Sequence, residues 1–264
     1  MRDAADRRRE ARTAQARAGF GVSVRRGILF GAALMVLVLP LALHPGRQGA
    51  VAVQGGAATS ITSVVRPVAR RADFARQSVS PDVRQLADWV ADSRDHADSA
   101  FVIVDKKQAS VHVFDAAARL LGSTPVLLGA AAGDDSVPGI GERAIADVKP
   151  HERITPAGRF IAERGHNALG DDVIWVDYDA AVSMHRVRTT EPRERRLERL
   201  ASPGVDDNRI SYGCINVPVA FYDALLRPLF AAQRAMVYVL PEVRTLQQVF
   251  GAYDVAAAPG RGAD

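Results

Sequence analysis

The sequence predicts a mainly β domain with a few short helices, placed behind an N-terminal apolar helix and a flexible spacer. Three observations predict it. Short β-type runs separated by polar turns begin near residue 100, one amphipathic helix precedes them, and a charge-free run divides a basic leader from everything downstream. The 264 residues allow one domain of about 150–200 residues plus appendages. A hydrophobic content of 48% is enough for a sizeable core.

Residues 1–26 form a basic tail with eight arginines against Asp3, Asp6 and Glu10, a net +5; the whole chain is +4, so residues 27–264 carry −1. The pI of 9.6 therefore reflects one end of the chain, and a nucleic-acid partner loses its main support. Residues 27–43 are uncharged over 17 positions, the lower limit for a spanning helix and long for a signal-peptide core. The basic flank keeps the N-terminus in the cytoplasm and directs the downstream chain to the other side. Ala50-Val51-Ala52 is a candidate cleavage site, so a signal peptide and a retained single-pass anchor both remain open, the long leader favouring the anchor. Residues 44–79, rich in Ala, Gly, Val, Ser, Thr and Arg without periodicity, are expected to be a flexible spacer.

Over residues 80–97 a helix is expected. Ser80-Pro81-Asp82 supplies an N-cap, a first-turn proline and an acid against the dipole, and Val83, Leu86, Ala87 and Val90 repeat at helical spacing. The next domain, 98–245, starts with the runs Phe101–Val104, Val111–Phe114 and Pro125–Leu128, separated by polar turns. Residues 129–158 are a Gly- and Pro-rich stretch. Val173–Val176 and Ala181–His185 predict two strands around a turn, Ala235–Leu240 another strand, and 219–230 and 243–250 short helices. Residues 246–264 are expected to form a C-terminal tail.

The chain has one cysteine, Cys214, in Ser211-Tyr212-Gly213-Cys214-Ile215-Asn216. An exported cysteine usually pairs in a disulfide, and Cys214 has no partner in its own chain. It is an inert buried thiol, an intermolecular bridge or a nucleophile. Gly213 favours the third, because a residue without Cβ permits a sharp turn and a close backbone approach to a ligand. His112, His151 and His166 lack close metal-ligand spacing, and one cysteine cannot build a thiolate zinc site. No metal or cofactor is expected.

The Cys214 element, His185 at a strand end upstream, and Thr155-Pro156-Ala157-Gly158-Arg159-Phe160 resemble the L,D-transpeptidase catalytic domain, the YkuD family. The resemblance covers roughly residues 98–242. It implies a β-sandwich or barrel in the bacterial envelope, with the catalytic domain periplasmic, acting on peptidoglycan stem peptides. Amide exchange needs a nucleophile, a base and oxyanion donors. The resemblance assigns Cys214 as the nucleophile and His185 as the base that draws its proton. Backbone N–H groups around Gly213 and Cys214 are the oxyanion candidates. Ser211 holds the turn, and Asn216, Arg159 and Arg186 are substrate-binding candidates.

Two departures stand out. Tyr212 replaces the family's second histidine, so the hydroxyl is a candidate oxyanion donor and His185 alone can accept the thiol proton. Arg186 stands where many members have serine, so a backbone carbonyl is expected to orient the imidazole. Between His185 and Ser211 lie 25 residues, a long gap for the family. Within it Pro192–Leu200 predicts a short helix over the site, its arginines facing either stem-peptide carboxylates or their own glutamates. The implied reaction is transfer of a stem-peptide acyl group through a Cys214 thioester to an amine, another diaminopimelate or an envelope lipoprotein lysine. The alternatives are hydrolysis of that thioester by water, and a non-catalytic peptidoglycan-binding domain.

Overall fold

The computed structural model describes residues 69–257. The chain divides into two units, 1–61 and 62–264, and the described residues belong to the second. The expected basic tail, the apolar helix 27–43 and most of the spacer lie outside them. Among the described residues no helix is long and apolar enough to cross a membrane.

Helix α1 (Pro81–Ser93) starts where the capping signals place it. Ser80 Oγ accepts from the Val83 amide at 3.2 Å and donates to Asp105 Oδ2 at 2.6 Å, tying the helix start to the end of the first strand. Ten strands come next: β1 (Phe101–Asp105), β2 (Ser110–Phe114), β3 (Leu120–Pro125), β4 (Leu128–Gly129), β5 (Gly158–His166), β6 (Asp172–Asp177), β7 (Val182–Arg186), β8 (Arg209–Ser211), β9 (Ile215–Val217) and β10 (Ala235–Val239). Eight form one sheet in the order β3-β2-β1-β10-β5-β6-β7-β9, and β4 pairs with β8. Only β1–β10 and β7–β9 are parallel in the larger sheet. Beyond β3 the chain bridges to the far edge: the Leu127 and Asn216 amides exchange bonds with each other's carbonyls at 2.9 and 2.8 Å. The sheet is thereby nearly closed.

Its interior is filled by alternate residues, among them Val102, Val104, Val111, Val113, Ile174, Met184, Ile215 and Val237. The opposite faces of the same strands are also covered. Phe101, Ile103, Phe114, Met236 and Tyr238 pack against Val83, Leu86, Trp89 and Val90 of α1. This double burial is why Phe101–Val104 reads as an unbroken apolar run rather than an alternating one. The second cluster also takes in Phe74, Leu246, Ala252 and Val255. Residues 69–79, expected as spacer, and 246–257, expected as tail, are thus parts of the domain: a few apolar side chains in polar segments found an apolar sheet face to cover.

Four strands escaped the sequence: β3, β5, β8 and β9. Leu120–Pro125 is paired with β2, although it reads as turn up to Gly122, and β5 pairs with both β10 and β6. Its residues neither alternate strictly nor carry much β-branching, so pairing on both sides outweighs weak propensity. Short helices α2 (Arg196–Ala201), α3 (Val219–Phe221), α4 (Arg227–Ala232) and α5 (Leu246–Phe250) complete the domain, with one π turn, Tyr222–Leu226, between α3 and α4.

A buried charge cluster locks the loops at one end. Lys106, just beyond β1, has a fully buried side chain whose Nζ bonds to the Gly133 carbonyl, to Asp134 Oδ1 at 3.1 Å and to the Thr155 carbonyl at 3.0 Å, with Glu242 Oε2 at 3.5 Å. Asp134 accepts the amides of Glu242, Val243 and Arg244 at 2.6, 3.0 and 2.8 Å. Burial alone would raise its carboxyl, but the Arg244 and Glu242 amides, with Lys106, hold it far below the usual carboxylate range. Arg209 completes the cluster, donating to Glu242 and to the Lys106 carbonyl.

Asp134→Ala strands a buried ammonium and three amides, so urea denaturation at pH 7 is expected to show a loss of about 3–5 kcal/mol. Because the native carboxyl is depressed, this stabilisation is complete above the ordinary carboxylate pKa and declines as the pH falls below it. The stability gap between wild type and Asp134→Asn is therefore expected to be widest near neutrality and to narrow below about pH 4.

Candidate active site

The parallel pairing of β7 with β9 sets His185 beside Asn216, two residues beyond Cys214. Parallel neighbours require a long crossover, and residues 187–214 provide it. The wide sequence gap between His185 and Cys214 is therefore the connection that lets the two lie next to each other.

The Cys214 turn is held from several sides. Gly213 has φ of +126°, and a Cβ there would sit 2.8 Å from the Ile154 carbonyl oxygen. Both the backbone angle and the close neighbour call for glycine. Thr155 Oγ1 donates to the Gly213 carbonyl at 2.8 Å and accepts the Gly129 amide at 2.9 Å. Ser211 Oγ accepts the Gly213 amide at 3.1 Å and donates to the Cys214 carbonyl at 2.6 Å. Asn216 Nδ2 donates to the same carbonyl at 3.2 Å. The Gly213 N–H, an expected oxyanion donor, is thus occupied by Ser211.

His185 Nδ1 lies 2.8 Å from the Arg186 carbonyl oxygen. A carbonyl only accepts, so Nδ1 carries the proton and the neutral ring keeps its lone pair on Nε2. Cys214 is a free, partly buried thiol. Its Sγ is 3.6 Å from the Ala181 carbonyl oxygen and 3.7 Å from Ser183 Oγ. Burial pushes the thiol pKa up. The hydrogen bond and charge that His185 offers the thiolate once it holds the proton, then the Ser183 amide and hydroxyl, outweigh burial and bring it below the ordinary thiol value. The arrangement suits a sulfur nucleophile that passes its proton to an imidazole.

The other expected site residues lie further out. Tyr212 is half-exposed, with the Arg153 guanidinium stacked 4.0 Å above its ring centre. The Arg186 side chain turns away from the base, bonding to Asp172 at 2.6 Å and Asp223 at 2.5 Å and covering the Tyr222 ring. Arg159 lies on the outer face of β5 opposite Tyr238, and the carboxylate it meets is that of Asp95, at 2.6 Å. Neither arginine side chain joins the Cys214–His185 group; both are taken by acids of the same chain.

In the crossover, Arg195 pairs with Glu198 at 3.3 Å and Arg199 donates to the Glu194 and Asp207 carbonyls, each at 2.9 Å. Arg196 pairs with Glu194 at 2.5 Å and also donates to Asn216 Oδ1. It fixes which way the Asn216 amide faces. Ser183 and Lys106 were not singled out for the site by sequence, whereas Thr155 stood in the Thr-Pro-Ala-Gly-Arg-Phe segment and Arg196 among the arginines of the Pro192–Leu200 helix. Of the two missed, only Ser183 carried a readable signal, lying two residues before His185 and so on the same strand face. A cleft of about 540 Å³ lies elsewhere, where Ser78–Pro81 meets β2 and β3 around His112. Burial there depresses the imidazole to about 4 and keeps it neutral, against a weaker opposing pull from Asp105.

No family model and no curated protein matches the chain. Among solved structures it is similar to an L,D-transpeptidase from Xylanimonas cellulosilytica at 14% identity, over 54% of this chain and 60% of that one, with a TM-score of 0.35. It is similar to a mutant of an Enterococcus faecium L,D-transpeptidase at 17% identity, over 54% and 50%, with a TM-score of 0.30. It is also similar to the helical cell shape determining protein Pgp2 from Campylobacter jejuni at 15% identity, over 60% and 55%, with a TM-score of 0.37. The chain spans between 50% and 60% of the length of these three structures.

Replacing Thr155 by valine removes the donor to the Gly213 carbonyl and the acceptor of the Gly129 amide. Thermal and urea melts are expected to show a loss of about 1–3 kcal/mol, accompanied by slower alkylation of Cys214 as its turn loosens. Gly213→Ala should slow alkylation further, because the strained φ and the Ile154 carbonyl both displace the turn.

Proposed function

We propose that the protein is a bacterial-envelope L,D-transpeptidase that carries peptidoglycan stem-peptide acyl groups on Cys214. The supporting observation is a partly buried free thiol set next to a histidine whose Nδ1 proton is held by the Arg186 carbonyl, with the thiol pKa lowered by that histidine. His185 Nε2 takes the Cys214 proton. The sulfur attacks the carbonyl of diaminopimelate in a donor tetrapeptide, the C–N bond to the terminal D-Ala breaks, and the proton passes from His185 to the leaving amine. An amine acceptor then attacks the thioester, gives its proton to His185 and expels the sulfur. The Cys214 amide and the Tyr212 hydroxyl are the proposed donors to the tetrahedral oxyanion. Ser211 and Asn216 keep the Cys214 carbonyl turned away from it. The substrate-binding role expected for Asn216 becomes one of support, since Arg196 and the Cys214 carbonyl take its amide. The proposal places the domain in the periplasm, with the uncharged run 27–43 as signal or anchor.

Incubating the protein with tetrapeptide-rich sacculi and separating the muropeptides tests this. New cross-linked dimers are expected, absent with Cys214→Ala and reduced at least about 100-fold with His185→Ala. Tripeptides without dimers would mean that water is the acceptor. Muropeptides unchanged by the wild-type protein would leave only a wall-binding domain.

A further inference from the structure

We infer that Ser183 is a thiolate-stabilising residue, donating its hydroxyl to the Cys214 sulfur. Val182 and Met184 of β7 point into the closed interior of the sheet, which turns Ser183 and His185 to the other face, toward the Cys214 turn. Ser183 is 4% exposed, and its Oγ lies 3.7 Å from Cys214 Sγ. A hydroxyl so little hydrated needs a partner within the protein, and the sulfur is the one it has.

The two sulfur contacts divide by protonation state. A carbonyl can only accept, so the Ala181 contact at 3.6 Å suits the S–H form. A hydroxyl can donate, so the Ser183 contact suits the S⁻ form. Once the proton has passed to His185, the Ser183 hydroxyl is a donor the thiolate can accept from, and the Ala181 carbonyl is not. The Ser183 amide is aimed at the same atom. The charged groups on the surrounding elements are His185 on β7, Arg153 over Tyr212, and Arg196 with Glu194 in the crossover; Arg186 is committed to Asp172 and Asp223. Of these His185 acts on the sulfur directly, and Ser183 is the uncharged donor beside it.

This deepens the transpeptidase reading and rests on it for its role in turnover. When the acceptor amine attacks the thioester, the N–C bond forms, the C–S bond breaks, and the electron pair returns to sulfur while the amine proton goes to His185. A donor already aimed at Sγ lowers the barrier to that departure whichever amine attacks.

Because the chain has a single cysteine, the pH dependence of iodoacetamide alkylation of the full-length protein reports the Cys214 thiol alone. Ser183→Ala is expected to move the alkylation midpoint upward by about one pH unit, the scale of one hydrogen bond to a charged group. Ser183→Thr, which keeps the hydroxyl, should restore the midpoint, and Ser183→Val, of the same shape without it, should not. Coincident profiles for wild type and Ser183→Ala, or for the threonine and valine variants should alanine fail to fold, would overturn the assignment. The readout needs no substrate. A shifted midpoint with unprocessed sacculi would retain Ser183 and remove the transpeptidase reading; unshifted midpoints with normal cross-linking would do the reverse.

Discussion

Thr155, through its carbonyl and its hydroxyl, joins the two halves of this molecule's chemistry. On one side the Thr155 carbonyl is fastened to Lys106, and through it to Asp134 and Glu242. On the other its Oγ1 holds the Gly213 carbonyl and so sets the direction in which the chain leaves toward Cys214. Gly213 sits at a backbone angle that other residues rarely adopt and leaves no room for a Cβ beside the Ile154 carbonyl. A turn of that kind persists only when its surroundings over-determine it. Ser211, Thr155, Asn216 and the antiparallel bridge to Leu127 supply the determination. The buried ammonium serves geometry more than stability, since burying charge is costly and its return is a fixed position for three separate loops.

The sulfur itself is a balance between opposing effects. The low-dielectric setting that excludes water disfavours a thiolate, yet it strengthens each donor aimed at the atom. His185, with Nδ1 blocked by a carbonyl, presents the correct nitrogen without a carboxylate partner. In the transpeptidase reading proposed above, the ionisation of the thiol is shared rather than complete, because a sulfur that is too acidic is a poor nucleophile.

The crossover from β7 to β9 is necessary before it is anything else, since two parallel strands cannot be joined by a short turn. Its charged helix is mostly self-satisfied through glutamates and carbonyls, and one arginine, Arg196, leaves that network to orient Asn216. The strap therefore supports the Cys214 turn through an amide, at one remove from the sulfur.

Much was readable without coordinates where local chemistry is strong. The capped helix at Ser80, the apolar runs of β1 and β2, and the glycine before Cys214 arise from capping, burial and backbone sterics, which neighbouring residues settle among themselves. The strands Leu120–Pro125 and Gly158–His166 did not, because their own propensities are weak and the second also depends on β10, far along the chain. Lys106 is the plainest case: in sequence it is half of a polar Lys-Lys turn, and in the fold it is fully buried. The arginines went the other way, since a guanidinium shows its charge in sequence but not which carboxylate it will meet. Composition and spacing determined a β-rich domain with one sulfur in a tight turn and a histidine on a strand. Tertiary structure decided that the two are neighbours, that Ser183 lies beside the sulfur, and that Arg159 and Arg186 meet acids of their own chain, because long-range strand pairing and the burial of charge are properties of the assembled sheet.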